Sequence, residues 1–183
     1  MLEIAKAQIK AADGLLDGMV IWGDVAYTRD LLFHPEFWRR HFKPGVKAIV
    51  DACHGADLPV IYHGCGNVKR IFEDFIDIGI DAYNPLEAKA GLDVVELRKQ
   101  YGHRIGFCGN MNVMEWADCS QDEIKAIVFR KLNAAKGGGY IFQSDHSVPS
   151  NVSGKNYDYV VHLVREFGKY PLRLGEFDIE DIG

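Results

Sequence analysis

The sequence predicts an α/β fold in which short strands alternate with amphipathic helices and form a parallel sheet. Five short apolar runs indicate the strands, because they are rich in β-branched and aromatic residues and lack the apolar–polar alternation of a half-exposed strand. Segments with apolar residues three and four positions apart separate these runs, and this order implies right-handed βαβ units. A chain of 183 residues can bury one sizeable core, so we expect a single domain over residues 1–183.

The elements can be assigned in chain order. A first helix precedes residue 12, and the predicted strands are Met19–Trp22, Pro59–Tyr62, Asp81–Tyr83, Arg104–Phe107 and Tyr140–Phe142. The helical repeats that follow them in turn are Val46–Cys53, Val68–Ile76, Leu92–Leu97, Ile124–Ala135 and Tyr157–Val164. Ser120 and Glu123 have the spacing of a capping box before the fourth repeat. Two architectures fit this order: an open doubly wound sheet, and part of a (β/α)8 barrel, which five units are too few to close.

Composition and charge exclude several classes of protein. Lys and Arg number 21 and Asp and Glu 26, and the resulting net charge of −5 argues against nucleic acid as a partner. No run approaches the roughly 20 apolar residues of a membrane span, and the first residues do not form an export signal. Four cysteines in a chain of this length are not a disulfide framework, so we expect reduced thiols and a cytoplasmic protein without membrane contact.

Polar side chains follow each predicted strand. Because the carboxyl ends of parallel strands meet at one rim, we expect these residues to form a site for a small-molecule substrate there. In strand order they are Asp24; His63 and Cys65; Asn84 and Glu87; Cys108 and Asn110; and Gln143, Asp145 and His146.

His63 and Cys65 are the most informative pair at this rim. Residues i and i+2 of extended backbone point to the same side, so an imidazole and a thiolate could share a zinc ion. A catalytic zinc site uses about three protein ligands, and His146, Cys108, Asp145 and Glu87 are all candidates for the third. The same pair is also compatible with a core histidine and an ordinary buried thiol.

The remaining rim residues allow a functional and a structural interpretation. Asp24 and Glu87 could act as a general acid or as a displaceable zinc ligand, or they could cap the following helices. Trp22 and Tyr27 could line a pocket for a flat ligand or simply pack against their neighbours. Asn84, Asn110 and Gln143 would contact the substrate.

Several of these segments together resemble the uroporphyrinogen decarboxylase superfamily. The resemblance covers roughly residues 10–174, and the segments that carry it are Gly23–Tyr27, Leu32–Trp38, Phe42–Pro44, Pro59–Asn67, Gly106–Asn110 and Ser144–His146 with Pro149 and Asn156. It implies a partial (β/α)8 TIM barrel whose five parallel βα units correspond to strands four to eight of the family barrel.

The resemblance also implies two activities. Zinc-dependent methyltransferases of this family act with corrinoids such as methylcobalamin, and His63 and Cys65 match their H-x-C motif. His146 stands where those enzymes usually have a cysteine, and Asn112 replaces a common acid. A site of His63, Cys65 and His146 would bind zinc with one open position, and a corrinoid protein would then be a partner. The alternative is a tetrapyrrole decarboxylase of haem biosynthesis, whose histidine after the last strand His146 also matches.

A third possibility is an inactive half-barrel that serves as a fragment or binding module. Metal content distinguishes the first possibility from the second, and solution mass distinguishes the third from both. Five strands in an open arc leave two edges and an apolar inner face uncovered, so we expect a homo-oligomer in which the open barrel edges cover each other.

Overall fold

The computed structural model describes residues 1–180 and Ile182. Within it the chain forms two compact units, Met1–Asn84 and Pro85–Gly183. The single domain expected over residues 1–183 stays a prediction. Five parallel strands, with helices between them, form one sheet in the order β1-β2-β3-β4-β5, which confirms the predicted fold class.

The first unit contains two complete strands and the beginning of a third. Its elements are α1 (Leu2–Ala12), β1 (Met19–Trp22), α2 (Pro35–His41), α3 (Lys43–His54), β2 (Val60–His63), α4 (Phe72–Asp77) and the first residues of β3 (Ala82–Leu86). The parallel register pairs Trp22 with His63 and His63 with Asn84, so the carboxyl ends of these strands lie side by side.

Aromatic side chains form the core of the first unit. Phe75 contacts the rings of Trp38, Tyr62 and Tyr83 at centroid distances of 5.3, 4.6 and 5.0 Å. All four side chains are buried. Because Tyr62 and Tyr83 lie on β2 and β3, this packing holds the two strands in fixed positions below the residues that follow them.

The second unit continues the alternation. After the end of β3 come α5 (Val94–Tyr101), β4 (Gly106–Met111), α6 (Gln121–Leu132), β5 (Tyr140–Ser144) and α7 (Gly154–Phe167). Apolar residues of α6 and α7 pack with Met111, Val113 and Trp116 into a buried hydrophobic cluster. The buried Arg98 of α5 donates hydrogen bonds to the carbonyls of Ala134, Gly138 and Gly139 and thereby fixes the turn that leads into β5.

Two features differ from the sequence-based assignment. Helix α2 was not predicted. It begins with a side-chain cap, in which His34 accepts the Glu36 N–H, and with Pro35 in its first turn. The helix has only seven residues, which is too short to show the repeat of apolar residues from which the other helices were predicted. Strands β2, β3, β4 and β5 also extend further at their carboxyl ends than predicted. The rim residues His63, Asn84, Cys108, Asn110 and Gln143 therefore lie within strands and not after them. Parallel pairing with a neighbouring strand extends each of them beyond its apolar run.

No helix in residues 1–180 is both long enough and apolar enough to cross a membrane.

Candidate functional site

The first unit brings three potential metal ligands together at the ends of β1 and β2. One ligand atom each from Asp24, His63 and Cys65 lies within 4.8 Å of the other two. His63 is the last residue of β2, and Asp24 comes two residues after the end of β1. The parallel pairing of these strands therefore brings together side chains that are 39 to 41 positions apart in the sequence.

The loop that carries Cys65 is held by backbone hydrogen bonds. The N–H of Gly64 donates to the Asn84 carbonyl at 2.8 Å, and the N–H of Asn67 donates to the Tyr27 carbonyl at 2.8 Å. Gly66 adopts a φ of +94°, and a Cβ there would lie 2.7 Å from the carbonyl oxygen of Ala26. Only glycine fits this close approach, so the residue after Cys65 is dictated by the backbone and not by chemistry.

His63 has a defined tautomer. Its Nδ1 lies 2.7 Å from Oδ1 of Asn84, the residue paired with it on β3. Because Oδ1 can only accept, Nδ1 carries the proton, and Nε2 presents its lone pair for a metal ion or a substrate. Asn84 was expected to contact the substrate, and in the structure its amide oxygen is bonded to His63 through the pairing of β2 with β3.

Asp24 is exposed but tied to the same loop. Its Oδ1 accepts the backbone N–H of Cys65 at 2.9 Å, which leaves Oδ2 for another partner. Burial raises the pKa of the neighbouring Tyr62 to about 12, and the charge of Asp24 adds to this rise. The Tyr62 hydroxyl therefore stays protonated and donates to the carbonyl of Gly23 at 2.8 Å, directly before Asp24.

These three residues fit a zinc ion. Zinc binds imidazole nitrogen, thiolate sulfur and carboxylate oxygen at about 2.0 to 2.3 Å, which places any two ligand atoms less than about 4 Å apart. Ligand atoms within 4.8 Å of one another reach such distances after side-chain movements of about 1 Å. The Asn84–His63 hydrogen bond is the outer contact that usually orients a metal-binding histidine.

Two aromatic residues near this cluster are solvent-exposed. The Trp22 ring is 75% exposed and contacts the His63 ring edge-on, with 5.0 Å between centroids and 63° between planes. The Tyr27 side chain is 71% exposed. Because the Trp22 ring contacts His63, a flat ligand that binds against Trp22 could lie over the imidazole.

In the second unit, Glu87 and His146 form an acid–imidazole pair. His146 Nε2 lies 3.5 Å from Glu87 Oε1, a distance suited to an ion pair but too long for a hydrogen bond. Nε2 is buried and has no hydrogen-bond partner among the described residues. Asp145, the residue before it, accepts the N–H groups of Ala88 and Val113 at 3.0 and 3.2 Å, which fixes the position of His146.

Asn110 is engaged by the protein itself. Its Oδ1 accepts the N–H of Val94 at 3.0 Å and the Lys131 ammonium at 2.7 Å, while Nδ2 donates to the carbonyls of Leu86 and Leu92. The side chain is fully buried, so a substrate could reach it only by replacing one of these bonds. We therefore leave Asn110 out of the proposed site.

The other candidates lie on β4 and β5. Cys108 is buried, and burial raises the pKa of its thiol to about 11, so the thiolate needed for metal binding is disfavoured. Gln143 is half-buried near the end of β5. The structure describes His63 and Cys65 in the first unit and His146 in the second, and the ligand set that combines them stays a prediction.

Comparison with known families identifies one match along most of the chain. Residues 1–167 match the model of the family described as "Uroporphyrinogen decarboxylase (URO-D)". No curated protein matches the chain.

One solved structure with a similar fold is a methyltransferase from Methanosarcina mazei, with a TM-score of 0.68 and 23% sequence identity. The similarity covers 92% of this chain and 46% of that one, so the chain spans about half the length of this methyltransferase. At this identity the match supports the fold and leaves the activity open.

Proposed function

The chain belongs to the uroporphyrinogen decarboxylase family, and on this basis we propose that it is a zinc-using methyltransferase that works with a corrinoid. The substrate would be a small molecule that accepts a methyl group, and a corrinoid protein would be the partner. The observation that carries this proposal is the cluster of Asp24, His63 and Cys65, in which Asn84 orients the imidazole.

The residues of this cluster would have separate roles. His63 Nε2 and the Cys65 sulfur would hold the metal, with Asp24 or His146 as the third ligand. When bound, zinc supplies a Lewis acid that lowers the pKa of a coordinated thiol or water. Asn84 keeps the proton on Nδ1 of His63, and the exposed Asp24 carboxylate could take up the proton that an acceptor releases. Trp22, beside His63, would position a flat reactant.

Elemental analysis of the purified protein tests the metal site. We expect about one zinc per chain, and His63→Ala and Cys65→Ala should each lose most of it, because a ligand has been removed. Zinc content in Asp24→Ala and His146→Ala identifies the third ligand. Cys119→Ala, which removes a half-buried cysteine elsewhere, should leave the zinc content unchanged. Wild-type protein that stays zinc-free after incubation with zinc and dialysis would contradict the proposal.

The Glu87–His146 pair favours a second candidate, a carboxy-lyase acting on a tetrapyrrole. In decarboxylation a proton replaces the departing carbon dioxide, and an imidazole beside a buried carboxylate is suited to hold that proton. This activity requires neither Cys65 nor zinc. Release of carbon dioxide from a porphyrinogen by zinc-free protein, with loss in His146→Asn, would favour it over methyl transfer.

A further inference from the structure

The second unit contains a mostly apolar cavity of about 380 Å³ between β5, α7 and residue Trp116. We refer to it as the α7 cavity. Its volume lies within the range of about 300 to 1,000 Å³ that is usual for small-ligand sites. The apolar part of its lining consists of Trp116, Phe142, Val148, Val160, Val161 and Val164.

Four side chains with polar groups line the same cavity without hydrogen-bond partners. In residues 1–180, the side chains of Gln143, Ser144, Tyr157 and Arg165 have no hydrogen bond or ion pair. The indole N–H of Trp116, which is 2% exposed, also has no acceptor in this part of the chain. Buried donors are rarely left unpaired, because each loses its bond to water on burial.

The unpaired groups share one preference. Arg165, the Ser144 and Tyr157 hydroxyls and the Gln143 amide can all donate hydrogen bonds, and the guanidinium also carries a positive charge. A carboxylate is an acceptor with a negative charge and matches this set, whereas an ammonium group would be repelled by Arg165. The valines and Phe142 supply contact area for a hydrocarbon body.

We propose that the α7 cavity binds a small monocarboxylate with an apolar body, such as a medium-chain fatty acid. The carboxylate contacts Arg165 and Ser144, and the hydrocarbon packs against the valines of α7. The site uses no residue of the Asp24, His63 and Cys65 cluster, so it does not depend on the proposed zinc chemistry.

Titration with octanoate, followed by the indole N–H resonances in NMR, tests the proposal. We expect a saturable shift of one resonance, which Trp116→Phe identifies by removing it. Octanol, which has the same chain without the charge, should bind at least about tenfold more weakly. Arg165→Gln should weaken octanoate binding about threefold to tenfold, since it removes a charge-assisted hydrogen bond at an exposed position.

Two controls make the result specific. Lys155→Gln removes one positive charge from an exposed position near the start of the same helix and should not change the affinity. The zinc-site variant Cys65→Ala should bind octanoate as wild type does, so loss of the metal and loss of this site are distinguishable. Equal affinity for octanol and octanoate, unchanged binding in Arg165→Gln, or no saturable shift up to the solubility of octanoate would each overturn the proposal.

Discussion

Asn84 shows how a single amide determines what a neighbouring imidazole can do. Its oxygen accepts from Nδ1 of His63 at 2.7 Å, and the two residues are a register pair of β2 and β3. Without this acceptor the neutral ring would exchange its proton between Nδ1 and Nε2, and Nε2 would present a lone pair only part of the time. The tautomer of His63 therefore depends on the pairing of β2 with β3, because that pairing places Asn84 beside the ring.

In Asn84→Leu we expect His63 to occupy both tautomers. Zinc affinity should fall about tenfold, which is the smallest loss usually seen when a hydrogen-bond partner of a metal-binding histidine is removed. Nitrogen-15 shifts of the imidazole in the metal-free protein report the two tautomers. Asn151→Leu, an exposed amide elsewhere, is the matched control. A single Nε2-unprotonated tautomer in the Asn84 variant would contradict this role.

At the scale of elements, helix α6 begins with a complete capping box. The Ser120 hydroxyl accepts the Glu123 N–H at 3.3 Å, and the Glu123 carboxylate accepts the Ser120 N–H at 2.7 Å. The helix buries Ile124 and Val128 in the core cluster of the second unit. Since short helices are marginal in isolation, the cap and this packing together determine where α6 starts.

Ser120→Ala should lower the free energy of unfolding by about 1 kcal/mol, the usual cost of losing a side-chain cap. The hydrogen bond from the Ser120 side chain, followed by that from its backbone, lowers the pKa of the Glu123 carboxyl. This pKa should therefore rise toward its ordinary value in the variant. Chemical denaturation and NMR titration measure the two effects. Ser147→Ala, at an exposed site that caps no helix, should change neither, and an unchanged Glu123 pKa in Ser120→Ala would refute the assignment.

At the scale of the whole molecule, the outer strands of the sheet have uncovered apolar residues. Val20 and Trp22 of β1 are 62% and 75% exposed, and Ile141 of β5 is 54% exposed. These strands stand at the two ends of the strand order, and no further strand among the described residues pairs with their outer edges. Such edges favour pairing with another chain.

We expect light scattering to give a mass above that of the 20.6 kDa chain, because a second copy would cover these residues. Val20→Lys should shift the distribution toward monomer, since a charge on an edge strand opposes strand addition. Lys10→Ala, at an exposed position in the last turn of α1, serves as control. A monomer at all concentrations, in wild type and variant alike, would rule out this association.

Much of the fold could be predicted from local patterns. Apolar runs and helical repeats indicated five strands and the helices between them, and the Ser120–Glu123 spacing indicated the cap of α6. The H-x-C spacing also identified His63 and Cys65 as a candidate pair. These patterns are local because the repeat of a strand or helix and the reach of a cap extend over only a few residues.

Contacts between distant residues were decided by the tertiary structure alone. Strand register placed Asn84 against His63, and the strand pairing extended β4 through Asn110, whose amide became part of the core. Packing of α7 beside β5 created the cavity that Arg165 lines. No local pattern encodes these contacts, because a side-chain hydrogen bond depends on which strands or helices are neighbours, and that follows from burial of the whole core.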